Sequence, residues 1–205
     1  MNHGKWISTA VLAGAWLVTL DPGASAEESP VNTAASSKPF ANVTSTVPVL
    51  HRSLTVDADF DAFTAALEKI LGHFPAGVQQ DIIEQPRLAE QRLKAAEGAQ
   101  GLMIFTVFDH GAALNMVDAR RKAKQYLIGN PLTAIQMSQH DIRAALYAPL
   151  RVLVYEKKAG QTVVEYDQPS SLFGQFARED VTKVALKLDR GLEQVIAEAA
   201  GLARH

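Results

Sequence analysis

The sequence predicts an α+β fold: one domain with a mixed or antiparallel sheet of about five strands and helices packed on it. Three observations lead there. Phe60, Phe63, Leu67, Ile70 and Phe74 recur at helical spacing and make one continuous apolar face. Residues 101–108 (GLMIFTVF) form an unbroken apolar run of strand length. Residues 151–156 and 162–166 alternate in character around a Gly-containing loop at 157–161, the pattern of a β-hairpin.

The elements follow in order. Residues 1–26 read as an export signal: one Lys before an uncharged core at 7–20, then the breaker Asp21-Pro22-Gly23 and the A-x-A site Ala24-Ser25-Ala26. That core is too short to cross a bilayer, which takes about 20 residues, so no membrane span is expected after cleavage. Without Cys there is no lipid-modified N-terminus, and without twin Arg the general secretory route is implied. Residues 27–46, rich in Ser, Thr, Ala, Asn and Pro, read as a flexible linker, and the domain is expected over 47–205.

Residues 47–56 have strand composition, with Pro48 confining the start to an edge. A helix over 57–74 begins with Asp57, Asp59 and Asp61, of which Asp57 or Asp59 can cap it. Residues 75–81 are turn-like, and Pro86 suits the first position of a second helix ending at Gly98. Its face of Leu88, Leu93 and Ala96 is thin. After the apolar strand, 112–124 read as a helix with Leu114 and Val117 inward, its wet face carrying the basic cluster at 119–124. Residues 125–129 are a short strand stopped by Asn130-Pro131. Residues 132–147 suit one or two short helices. Residues 180–200 form the last helix, with Val184, Leu188, Leu192, Val195 and Ala199 inward.

Composition narrows the chemistry. The chain has 205 residues, 47% hydrophobic, with a net charge of -2 that persists after loss of Lys5 and Asp21. That balance gives no footprint for nucleic acid. The absence of Cys removes disulfides, thiolate metal sites, a Cys nucleophile and covalent haem. No nucleotide loop, zinc-protease or nucleophile-elbow motif occurs, so the cofactor is unknown.

Four short motifs carry a resemblance. They are Asp109-His110-Gly111-Ala112-Ala113, Leu127-Ile128-Gly129-Asn130-Pro131, Pro149-Leu150-Arg151 opening a strand, and Tyr166-Asp167-Gln168-Pro169 closing the hairpin. In this order they resemble the family called domain of unknown function 302 across about residues 100–197. Ile128 stands where that family usually has Phe, Ala148 where it has Leu, and residues 75–98 look like an insertion. The resemblance implies a fold and assigns no reaction.

The polar candidates sit at element ends. Asp109 is explained as a helix cap. His110, expected in the first helical turn, is the candidate general base. Gly129-Asn130-Pro131 reads as a turn with an unusual backbone angle at Gly or Asn. If that turn faces His110, Asn130 holds a polar group of the ligand. Arg151 is the natural anion clamp, and Tyr155 and Tyr166 line the same opening. His51, His73, His140-Asp141 and Glu156 lack the spacing of a metal site with His110, so no metal is expected.

Three readings of function follow. The leading one is a secreted or periplasmic, non-enzymatic domain binding a small ligand or an envelope protein at an edge carrying His110, Asn130 and Arg151. The second is an enzyme with His110 as base and Arg151 as anion anchor. The third is a domain that self-associates as a homodimer through an exposed strand edge.

Overall fold

The computed structural model describes residues 41–204; the predicted export signal and most of the linker lie outside the described residues. From Ser45 on, the chain forms one compact unit. It holds six strands: β1 (His51–Val56), β2 (Gly72–His73), β3 (Met103–Asp109), β4 (Ala123–Gly129), β5 (Leu150–Lys158) and β6 (Gln161–Asp167). Seven α-helices accompany them: α1 (Phe60–Ile70), α2 (Val78–Glu84), α3 (Pro86–Ala95), α4 (His110–Leu114), α5 (Pro131–Ser138), α6 (Pro169–Phe173) and α7 (Glu179–Leu202). No helix among the described residues is long and apolar enough to cross a membrane.

The strands form one sheet in the order β1-β6-β5-β4-β3-β2. β3 to β6 make an antiparallel meander; β1 adds antiparallel to β6 at one edge, and β2 adds parallel to β3 at the other. The fold is therefore the expected α+β domain on a mixed sheet, with one strand more than about five. The extra strand is β2. Residues 57–74 are not one helix, because Leu71 leaves the helix with extended angles and the chain then pairs with β3.

Helix α1 starts where the sequence placed it. The Asp59 carboxylate accepts from the N–H groups of Asp61 and Ala62. Phe60, Phe63 and Leu67 are buried, and Phe63, fully inaccessible, contributes roughly 1.5–3 kcal/mol by burial. They meet Val184, Leu188, Leu192, Val195 and Ala199 of α7 and the inner side of the sheet, Tyr126, Ile128, Val152, Val154, Val164 and Tyr166, in one core. A smaller core, Val78, Ala89, Leu93 and Met103, seats α2 and α3 against the start of β3. The expected turn at 75–81 thus runs into helix α2, held by Val78 and by an ion pair between Asp81 and Arg92.

Two further expectations are corrected. The helix over 112–124 stops at Val117, because Asp118 turns left-handed (φ 55°) and the chain becomes β4. Val117 is exposed, and the basic cluster is no helix face: Lys122 reaches Asp61 and Lys124 reaches Glu68, both on α1. The β5–β6 connection tightens from five residues to Ala159-Gly160, with Gly160 at φ +74° and a register shift between Glu156 and Lys158. Ser170 lies inside α6 behind Pro169, and its N–H donates to the buried carboxylate of Asp189 at 2.8 Å.

Candidate functional site

Strand direction decides which predicted residues can meet. Asp109 at the end of β3 pairs with Lys124 near the start of β4, while Met103 at the start of β3 pairs with Gly129 at the end of β4. His110 and Asn130 therefore sit at opposite ends of the sheet, about 20 Å apart at 3.3–3.4 Å per residue. The expectation that His110, Asn130 and Arg151 converge is overturned, and with it the arrangement of His110 as base beside Arg151 as anchor. Consecutive antiparallel strands end at alternating edges, so two motifs that each follow a strand face apart.

At its end, His110 is exposed in the first turn of α4, and Asp109 caps that turn by accepting from Ala112 N–H at 2.8 Å. Gly111 next to it is buried because a Cβ there would lie 2.3 Å from the Arg121 carbonyl. The Asp-His-Gly stretch thus packs the α4 turn onto the entry to β4.

Asn130 and Arg151 share the other end, since Leu150 pairs with Ile128 and Arg151 with Leu127. Asn130 is buried with its side chain fully committed. Its amide donates to Glu97 Oε1 (2.7 Å) and the Gly101 carbonyl (2.8 Å), and its oxygen accepts from Leu132 N–H (2.8 Å). Its backbone is extended (φ -153°) rather than left-handed, and Pro131 opens α5. Asn130 is a helix cap and a clasp on the turn before β3.

On the outer side of β1, β6 and β5 polar side chains gather. His51 Nδ1 is 3.0 Å from Asp167 Oδ1, and Nε2 is 3.7 Å from Glu165. Ser53 and the Tyr155 hydroxyl both donate to Glu165 Oε1, at 3.2 and 3.0 Å. The hydrogen bond to Asp167 is the main cause that raises the His51 imidazole above its usual value. Arg151 lies on this side, exposed, and makes no ion pair among the described residues. Tyr166 does not join it: it is buried in the core toward α7, where burial pushes its phenol up. The inner side holds a separate pin. Burial raises the Glu68 carboxyl, but bonds from Lys124 (2.9 Å) and Tyr126 (2.8 Å) outweigh that and hold it below the usual range.

A cavity of about 450 Å³ opens at the Asn130 end. Its walls come from Phe105, Ile128 and Gly129 of the sheet, Thr133, Ala134 and Met137 of α5, the Ala148-Pro149-Leu150 segment and Phe173 of α6. Phe105 is turned there by a bulge between Ile104 and Thr106, and it stacks on Phe74 at 4.5 Å. On the other side of Pro149 lies a cleft of about 460 Å³, lined by Leu127, Tyr147, Arg151, Asp167 and Leu172. The sequence reading missed Phe105, Pro149 and Phe173 as site residues; the two motifs beside them were its only signal. It also missed Glu97 and Asp189. Asp189 was legible as a charge one position from Leu188 on the inward face of α7. No group of His, Asp and Glu suited to a metal occurs among the described residues.

Two of the motifs, Gly129-Asn130-Pro131 and Pro149-Leu150, lie far apart in sequence and share this one cavity. The model of the family "Domain of unknown function DUF302" matches residues 84–199, more than half of the chain. The chain belongs to this family. The DUF302 match takes in α3 to α6, most of α7, and the walls of both cavities except Gln79. A crystal structure of an uncharacterized conserved DUF302 protein from Bacillus stearothermophilus has the same fold, with a TM-score of 0.53 and 15% identity over 73% of this chain and 97% of that one. No curated protein matches the chain.

Proposed function

We propose that this DUF302 domain is exported and binds a small apolar molecule in the cavity beside Pro149. The observation that carries the reading is the meeting of the Gly129-Asn130-Pro131 and Ala148-Pro149-Leu150 segments on one mostly apolar cavity. Its size falls in the range of small-molecule sites, about 300–1,000 Å³. Phe105, Met137 and Phe173 supply apolar surface, while Gln79 and Thr133 supply the few polar groups that such sites use for orientation. Asn130 shapes the wall and leaves the ligand to others.

The adjoining cleft favours an anionic group as a second feature of the ligand. Arg151 lines it and makes no ion pair among the described residues, whereas Asp167 in the same cleft is bonded by His51. A guanidinium fork there suits a carboxylate, sulfonate or phosphate.

Two apolar fluorescent probes test both parts: uncharged N-phenyl-1-naphthylamine and anionic anilinonaphthalene sulfonate. Ala134→Trp fills the cavity and is expected to weaken both at least tenfold while the far-UV spectrum stays native. Arg151→Ala is expected to weaken the anionic probe alone. Equal binding of the uncharged probe by wild type and a folded Ala134→Trp variant would remove the cavity reading; equal binding of the anionic probe after Arg151→Ala would remove the anchor. For export, N-terminal sequencing of the protein recovered from a bacterial envelope fraction is expected to begin at Glu27. A product that retains residues 1–26 in the cytoplasm defeats that half of the proposal.

A further inference from the structure

The geometry of β1 points to a second copy of this chain as its partner, paired edge to edge through a two-fold axis at Ser53. The two edges of the sheet are unlike. β2 presents only two residues and runs into Pro75, so it is blunt. β1 presents six residues with no Pro, no Lys and no bulge, the devices that usually protect a strand edge. Its Arg52 is already held by Glu193 at 3.1 Å, and its His51 by Asp167 at 3.0 Å.

The direction of the free backbone groups follows from the residue before the strand. Leu50 accepts from Gln168 N–H at 2.8 Å and donates its own N–H to Ser171 Oγ at 3.0 Å, so both its groups point toward β6. By the alternation of an antiparallel ladder, Arg52, Leu54 and Val56 also bond β6, while His51, Ser53 and Thr55 turn their N–H and C=O groups outward. All three residues are exposed, and none of these groups has a partner among the described residues.

An identical edge completes them. With the axis at Ser53, that residue faces Ser53 of the partner subunit, and His51 faces Thr55 of the partner subunit. Each such pair exchanges two hydrogen bonds. On the inner side Arg52 meets Leu54 of the partner subunit, and the exposed Leu50 meets Val56 of the partner subunit. No like charges oppose one another in this register, and apolar side chains face the inner side. A closed two-fold pairing of this kind ends at two copies, since the other edge is too short to extend the sheet.

Light scattering after size exclusion, over a hundredfold range of protein concentration, tests the pairing. The wild-type chain is expected to run as a dimer that dissociates on dilution. Thr55→Pro deletes one outward N–H and leaves the β6 ladder intact, as Pro is accepted on the solvent side of an edge strand; it is expected to be monomeric throughout. Ser53→Lys sets two ammonium groups opposite each other and is expected to raise the dissociation constant at least tenfold. If Thr55→Pro loses its native spectrum, Ser53→Lys decides. A wild-type monomer at every concentration, or dimers undiminished in the folded variants, would overturn the inference.

Discussion

Gly98→Ala is expected to destabilise the domain by about 4 kcal/mol or more, the range reserved for a named steric or burial fault. A Cβ at Gly98 would lie 2.0 Å from the backbone nitrogen of Gly72, 2.4 Å from the Leu71 carbonyl carbon and 2.6 Å from the Ile70 carbonyl oxygen. Every one of these atoms is main chain, so no side chain can swing aside. The fault is reciprocal, because a Cβ at Gly72 would lie 1.9 Å from the Ala96 carbonyl oxygen. The two glycines let the turn after α3 press directly on β2, and both N–H groups donate to the Leu102 carbonyl, at 3.2 and 3.0 Å. Pushing the backbones apart breaks that shared acceptor and pulls β2 from the sheet. Urea titration is expected to show a lower midpoint at an unchanged slope. Gly174→Ala, where a Cβ meets nothing within 4 Å, is the control and is expected within about 0.5 kcal/mol of wild type. A Gly98→Ala midpoint equal to the control's would show that the backbone there gives way freely.

Asn130→Ala is expected to cost about 2–4 kcal/mol, combining a lost helix cap with a buried carbonyl left without its donor. The cap bond to Leu132 and the two bonds to Glu97 and Gly101 all end on this one side chain. Asn130→Asp separates the parts. It keeps the acceptor for Leu132 but sets a carboxylate against Glu97 and the Gly101 carbonyl, so it is expected to be nearly as damaging at neutral pH and to recover as the medium is acidified. A loss of probe binding with stability intact would instead return Asn130 to the role of ligand contact that its position after β4 first suggested.

These outcomes trace what was legible in the sequence. Helices α1 and α7 were, because each buries one stripe at 3.6-residue spacing and the stripe is written in Phe, Leu and Val. β3, β5 and β6 were, through apolar runs and alternation. Helix α2 was not: Val78 is its single buried residue, so its form depends on α3 and on Arg92 rather than on a pattern of its own. β2 was not, being two residues whose binding to β3 is entirely main chain. The candidate site failed on direction. A strand's composition does not say which way it runs, and the antiparallel turn between β3 and β4 sent His110 and Asn130 to opposite ends. Arg151 and Asn130 did come to one end, yet Asn130 serves the backbone, and the cavity beside it is built by Phe105, Pro149 and Phe173, whose meeting depends on a bulge and on three separate elements.

The pairing of β1 with β6 also sets a timetable. His51 bonds Asp167 across 116 residues of sequence, and α7, which covers the inner side of the sheet, is the last of the described elements to be made. The first strand therefore has no partner, and the core no lid, until nearly the whole domain has been synthesised. Such long-range closure is slow relative to local helix formation. The nascent chain stays open and threadable for most of its synthesis, and any machinery that handles extended polypeptide works within that interval.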